Sequence, residues 1–238
     1  MGYGRKHAEL YDVVFADRGK DWAAEAAAVT EEVRRRNPGA ASLLDVACGT
    51  GAHLAAFAEH FAHVEGVEPA AAMREVAEER LPGLVVHPHD MRAVSAGREF
   101  DAVTCMFFAI TYMPTPDDLA TAVAAMARHL APGGVLVVEP WWFEDRFIDG
   151  YVGGHLVKQE GRVIARLTRS VREGDRVRMT IRFVVADANG VDEFTETEVV
   201  SLFTEDDYHR AFALAGLVGE YLAGWCGGTG LFVAQRPR

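Results

Sequence analysis

The chain has 238 residues, half of them hydrophobic, which suits one domain with a sizeable core, or one domain carrying an insertion. Its formal net charge is −11, and its densest basic cluster, Arg34-Arg35-Arg36, falls on a segment patterned as an amphipathic helix, so a nucleic-acid-binding face is disfavoured. No leader-like segment and no long uncharged apolar run is present, so no membrane span is expected. The three cysteines, Cys48, Cys105 and Cys226, have no metal-ligand spacing; two lie beside apolar runs, which points to reduced thiols, no metal and a cytoplasmic location.

In chain order, residues 1–21 form an arm or lid, with Tyr3, His7, Leu10, Tyr11, Val14 and Phe15 at helical spacing. Arg18-Gly19-Lys20-Asp21 marks a turn, Asp21 caps a helix over 22–36, and Asn37-Pro38-Gly39 stops it. The apolar run 42–46 reads as a buried strand. It leads into Ala47-Cys48-Gly49-Thr50-Gly51 and then a helix with Leu54, Phe57, Ala58 and Phe61 on one face. Strand, glycine turn and helix open a βαβ unit whose turn lies where open α/β sheets bind ligands. The third glycine of a dinucleotide fingerprint is missing, and no Gly-Lys-Ser/Thr follows, so the turn is neither that fingerprint nor a P-loop.

A second strand, Val64-Glu65-Gly66-Val67-Glu68, ends in a carboxylate near the spacing at which an acidic group accepts from a ribose diol. A helix over 69–81 follows, with proline in its first turn, then a third strand over 84–91 running into Asp90. Residues 100–107 form a fourth, nearly all-apolar strand, so 107–113 must lie at the site. A helix over 119–130, a turn at Ala131-Pro132-Gly133-Gly134 and a fifth strand over 135–140 complete a doubly wound, mostly parallel, Rossmann-like α/β sheet. From 141 to 203 the pattern changes to alternating and β-branched runs separated by Gly161, Gly174-Asp175 and Asn189-Gly190, an antiparallel β insertion. Thr204 and Asp207 begin another helix in capping-box fashion, and two strands over 218–223 and 230–235 close the sheet as a hairpin. The expected organisation is an arm at 1–21, a core at 22–140 and 204–238, and the insertion at 141–203. His53 reads as a packing group, and the remaining histidines as surface residues.

The glycine turn, Glu68, Asp90-Met91, the fourth strand and the Pro-Gly-Gly before the fifth together resemble class I S-adenosylmethionine-dependent methyltransferases over residues 22–140. Longer stretches are similar to the N,N-dimethyltransferases of TDP-amino-sugar biosynthesis, the desosamine and mycaminose type. These include Ala8-Glu9-Leu10-Tyr11-Asp12, Gly19-Lys20-Asp21, Asp90-Met91-Arg92, Val138-Glu139-Pro140-Trp141-Trp142-Phe143 and Ser170-Val171-Arg172-Glu173-Gly174. The resemblance implies that S-adenosylmethionine is held by Tyr3, Ala47, Gly49, Gly51, Glu68, Asp90, Met91 and Met106, with no metal. It implies that Tyr3 and Tyr112 sit at the acceptor amine, as positioning groups more than bases. It implies a TDP-linked 3-amino-3,6-dideoxyhexose, dimethylated, against Tyr112, Trp141, Trp142, Phe143, Arg166, Arg178 and Arg182, with Arg178 toward the diphosphate. It also implies a homodimer. One departure stands out: Thr229 occupies the place of a family arginine, and Trp225 adds an aromatic surface nearby.

Each of these residues also admits a purely structural role. Trp141-Trp142-Phe143 can be core aromatics, and Arg178 can be a solvated strand residue. The proton lost by the amine can go to Tyr3, Tyr112, Glu139 or water. Other readings are a methyltransferase for another small natural-product acceptor, at N or O, a nicotinamide-dependent oxidoreductase, or a non-catalytic nucleotide-binding module. A nucleic-acid amine methyltransferase would carry Asn/Asp-Pro-Pro-Tyr/Phe where this chain has Met106-Phe107-Phe108-Ala109-Ile110.

Overall fold

The computed structural model describes residues 5–225 and 228–238. Two sheets make up the fold, and the first helix packs against elements of both. Helix α1 (Arg5–Asp17) precedes α2 (Trp22–Arg36), whose first turn is capped by Asp21 accepting from the Ala24 amide. The first sheet is built from β1 (Ser42–Val46), β2 (His63–Val67), β3 (Val86–His87), β4 (Phe100–Cys105), β5 (Leu130–Val138), β10 (Val218–Leu222) and β11 (Leu231–Gln235). Helices α3 (Ala52–Ala58), α4 (Ala71–Arg80), α5 (Pro116–Ala127) and α6 (Glu205–Leu214) connect them. The strand order is β10-β11-β5-β4-β1-β2-β3, parallel from β5 to β3, with β11 and β10 antiparallel at the other edge. The sheet is covered on both sides. Leu44, Val103 and Leu136 pack toward α5 and α6, while Leu43, Ala102 and Val135 pack toward α2 and α3. This is the burial that apolar parallel strands require.

The second sheet is antiparallel, ordered β6 (Val152–Gln159), β7 (Arg162–Glu173), β8 (Arg176–Asp187), β9 (Gly190–Ser201). Its inner face carries Ile164, Val177, Ile181 and Phe183, and it receives Leu10 and Val14 from α1. The same helix presses Ala8 onto Met73 of α4. Asp12 of α1 accepts from the Thr50 hydroxyl at 2.7 Å and pairs with Arg80, whose Nε donates to the Thr50 carbonyl at 3.0 Å.

Several boundaries differ from the sequence reading. The third strand shrinks to two residues, because Pro88 has no amide to donate and Asp90 turns to cap a 3-10 turn at Met91–Ala93. The expected turn at 131–134 lies inside β5, where Gly134 brings its backbone close to Phe100 and a register irregularity absorbs the bend. Helix α5 begins three residues early, since Thr115 caps it and Pro116 fits its first turn. The histidines are not all surface groups: His7 and His129 are buried, and His129 accepts from the Ala96 amide.

Gly51 opens α3 at φ +74, and a Cβ there would stand 3.0 Å from the Ala77 Cβ. Gly51→Ala is expected to lower the free energy of unfolding by about 1–3 kcal/mol, from left-handed strain and overpacking together. Urea denaturation of the ligand-free protein checks this.

Candidate active site

The parallel strands end along one edge, and the chain leaves that edge through left-handed backbone. Ala47, Gly49 and Gly51 have φ of 60°, 55° and 74°. The loop is fixed by the Glu68 carboxylate, which accepts from the Gly49 amide (3.1 Å) and the Ala70 amide (2.8 Å). Burial pushes the Glu68 pKa up, against the pull of those two amides. Beneath the loop, Thr104 donates to the Asp45 carboxylate at 2.7 Å, and burial pushes Asp45 up to about 7.

The exit from β4 has the same character. Phe107 and Phe108 stand at φ 53° and 51°, unusual for residues with a side chain. Glu139, buried at the end of β5, accepts from the Phe107 amide at 2.6 Å. Lys20 lies 3.9 Å above the Phe107 ring and forms a 2.6 Å pair with Glu25, which also bonds His53 at 2.8 Å. Burial raises the Glu139 pKa to about 7, partly offset by Lys20 and the Phe107 amide.

These elements line one cavity of about 1210 Å³ that runs from the glycine turn to the inner face of the second sheet. Ala47, Gly49, Glu68, Asp90, Met91, Met106, Tyr112, Trp141, Trp142 and Arg166 all border it, so most of the expected site residues are brought together. Asp90 is gripped through both oxygens by Arg92, which also holds Asp118, and this ion pair pulls the Asp90 pKa down. Tyr3 lies outside the described residues. Aromatic rings cross the cavity in series: Tyr11 to Phe15 (4.8 Å), Phe15 to Phe107 (4.8 Å), Phe107 to Phe108 (4.5 Å) and Phe108 to Trp141 (6.0 Å).

Four residues expected at the site are placed away from the cavity lining. Gly51 is not among the residues lining the cavity and serves the turn and its contact with α4. Phe143 packs on Tyr221 and Phe232 in the core. Arg178 and Arg182 alternate along β8 with the inward Met179 and Ile181, so they point from the opposite face; they are exposed and pair with Glu173 and Glu193. Arg18, Lys20, Glu25, Thr168 and Ser170, which are not among the expected site residues, also line the cavity. The period-2 alternation Arg166, Thr168, Ser170 was the available signal on β7. Thr229 borders the cavity, and its carbonyl accepts from the Tyr221 hydroxyl at 3.0 Å. Among the described residues, no cluster of metal-ligating side chains occurs, and Cys48 and Cys105 are buried and free; Cys226 is not described.

Strands in this order, reversed only at the β11 edge, with a glycine turn after β1 and a carboxylate after β2, define a class I methyltransferase. Residues 43–134 match the family model described as a methyltransferase domain. The dTDP-4-amino-2,3,4,6-tetradeoxy-D-glucose N,N-dimethyltransferase of Saccharopolyspora spinosa is 52% identical, over 98% of this chain and 94% of its own. The dTDP-3-amino-3,4,6-trideoxy-alpha-D-glucopyranose N,N-dimethyltransferase of Streptomyces venezuelae is 47% identical, over 97% and 98%. The solved structure of SAM-bound CalS10, an amino pentose methyltransferase from Micromonospora echinaspora, is 53% identical, with a TM-score of 0.89 over 95% of this chain and 96% of that one. The chain belongs to the S-adenosylmethionine-dependent methyltransferases, in the group of the TDP-amino-sugar N,N-dimethyltransferases.

The carboxyl of Glu139 gives a pH signature. Its folded pKa, about 7, lies above the ordinary 4.5, so folding favours the protonated form. The associated stability is complete below the ordinary value and is lost as pH rises toward about 7. Glu139→Gln, which keeps an acceptor for Phe107 but cannot ionise, is expected to show a smaller fall in urea midpoint between acidic and mildly alkaline buffer than the parent. Asp45 contributes equally in both proteins, so the difference between them reports Glu139.

Proposed function

We propose that the protein transfers methyl groups from S-adenosylmethionine to the amine of a TDP-linked amino sugar, twice per sugar, in antibiotic sugar biosynthesis. The observation that carries the reading is the single cavity joining the glycine-turn edge to the inner face of the second sheet, roomy enough for two ligands end to end. The glycine turn fits the cofactor: Gly49 borders the cavity, and nothing lies within 4 Å of where its Cβ would stand. In this reading Glu68 takes the ribose, Asp90 and Met91 face the adenine, and Ala47, Gly49 and Met106 flank the methionine part. Lys20 also borders the cavity, and the reading keeps Tyr3 as a residue near the cofactor, as the sequence expectation has it.

When bound, S-adenosylmethionine supplies a methyl group already activated on a sulfonium. What remains for the chain is to hold a neutral amine in line and keep water out, and orientation of this kind is worth several kcal/mol of barrier (roughly). Tyr3 and Tyr112 orient the amine, Trp141 and Trp142 wall the sugar, and α1 roofs the cavity. No dedicated base is assigned; Glu139 is engaged with Phe107 and Lys20 and holds their loop in shape. The acceptor expected from the sequence is a 3-amino-3,6-dideoxyhexose. A 4-amino sugar is the second reading, favoured by the name of the 52% identical relative. The proposal includes a homodimer in the cytoplasm, tested by sedimentation of the purified protein and by fractionation of cells producing it; among the described residues, no helix is long and apolar enough to cross a membrane.

Incubation with S-adenosylmethionine and either TDP-amino sugar, read by mass spectrometry, is expected to show addition of two methyl groups; an unmethylated product with both sugars would overturn the reading. Glu68→Ala should weaken S-adenosylhomocysteine binding by roughly tenfold or more in calorimetry, since a buried charged acceptor is lost. Tyr112→Phe should reduce the rate at saturating substrate by less than about tenfold, because loss of a true general base costs about a hundredfold or more.

A further inference from the structure

At the β2–β3 edge of the first sheet, two histidines share one carboxylate. Glu65 of β2 is buried, and both of its oxygens are used. Oε1 lies 2.7 Å from His63 Nε2, and Oε2 lies 2.6 Å from His87 Nε2. Burial pushes the Glu65 pKa up, but the hydrogen bonds of His87 and His63 outweigh it and hold the carboxyl below its ordinary range. An ionised carboxylate can only accept, so the His87 imidazole donates from Nε2. Arg98 closes the cluster from the segment before β4, 4.0 Å from Glu65 Oε1.

The contact gains its meaning from the position of His87. β3 has two residues and is an edge strand. It is tied to β2 by the Gly66 amide on the Val85 carbonyl (2.9 Å) and the Glu68 amide on the His87 carbonyl (3.0 Å). This short strand delivers His89, Asp90 and Met91 to the cavity wall. Pro88 has no amide to donate, and the His89 amide turns back onto the His87 carbonyl at 3.0 Å. The His87 and His89 rings lie nearly parallel, 13° apart, with centroids separated by 6.2 Å. Contacts therefore run from the buried Glu65, through the anchored His87 ring, to a half-buried imidazole that borders the cavity beside Asp90. A flat π-system backed on one side suits a flat heterocycle on the other.

We propose that His89 lays its ring against the adenine end of the bound cofactor, and that Glu65, acting through His87, is the positioning residue that sets this ring. The proposal rests on the reading that puts adenine at Asp90 and Met91. It gives the two-residue strand a support that its backbone bonds alone do not supply, and it gives a histidine expected on the surface a place in the cofactor site.

The test is calorimetric titration of the full-length protein with S-adenosylhomocysteine and with 5′-methylthioadenosine, which carries the adenosine but not the amino acid. His89→Ala is expected to weaken both ligands by the same factor, roughly tenfold, while His89→Phe stays within about twofold of the parent. Glu65→Gln should weaken both by roughly threefold in the parent and add little in the His89→Ala background, since the two residues act on one contact. His87→Leu, which leaves the buried carboxylate in place, should behave like Glu65→Gln. A merely structural role for Glu65 would instead add its loss to that of His89→Ala, and additive losses in both the Glu65 and His87 variants overturn the positioning chain. Unchanged affinity for both ligands in His89→Ala, with a loss in Asp90→Asn, overturns the role of His89 and leaves adenine where the reading puts it. If Asp90→Asn is equally silent, that placement falls together with the proposal.

Discussion

Two buried carboxylates hold the working edge of the sheet in shape. Glu68 accepts from Gly49 and Ala70, and Glu139 accepts from Phe107. Both stand where parallel strands must give way to loops at once, and both secure backbone that ordinary residues avoid. A carboxylate accepting backbone amides in a dry setting makes a strong, directional contact. Without these contacts the turns after β1 and β4 would relax toward commoner dihedrals, and the amides, side chains and gaps along the cavity would lose their relative positions. The raised pKa values of Asp45, Glu68 and Glu139 follow from the same fact: the charge is buried because the loops close over it.

The second sheet contributes a wall rather than a lid. Its inner face is apolar where it meets α1, and at the cavity it mixes the polar residues of β7 with Met179 and Ile181 of β8. On β7, Ile164 is core, while Arg166, Thr168 and Ser170 border the open volume. The outer face of the same strands carries paired, exposed charges such as Arg178 with Glu173 and Arg182 with Glu193. Surface pairs of this kind contribute little to stability, commonly below about 1 kcal/mol. Their positions are set by alternation, not by the ligand.

The sequence was most legible where periodicity and punctuation coincide. The glycine turn after an apolar strand, the carboxylate ending β2, the Thr204–Asp207 capping box and the closing hairpin all appear in the structure where the residues indicate them. It was less legible where a choice depends on partners far along the chain. Alternation groups Arg166 with Thr168 and Ser170, and Arg178 with Thr180 and Arg182, but which of these faces turns inward is decided by the register against β8 and the packing of α1. The same holds for Phe143, whose neighbours Tyr221 and Phe232 come from the last hairpin. Lys20 looked like a turn residue because its partners, Glu25 and Phe107, come from an adjoining helix and a distant loop.

Helix α1 has thirteen residues, near the length at which an isolated helix is only marginally formed in water. Its order therefore comes from what it touches: the second sheet through Leu10 and Val14, and the first through Ala8, Asp12 and their partners on α4 and the glycine turn. A segment that owes its fold to two bodies acts as a thermodynamic hyphen between them. Loosening its grip on either one lowers the cost of releasing the other.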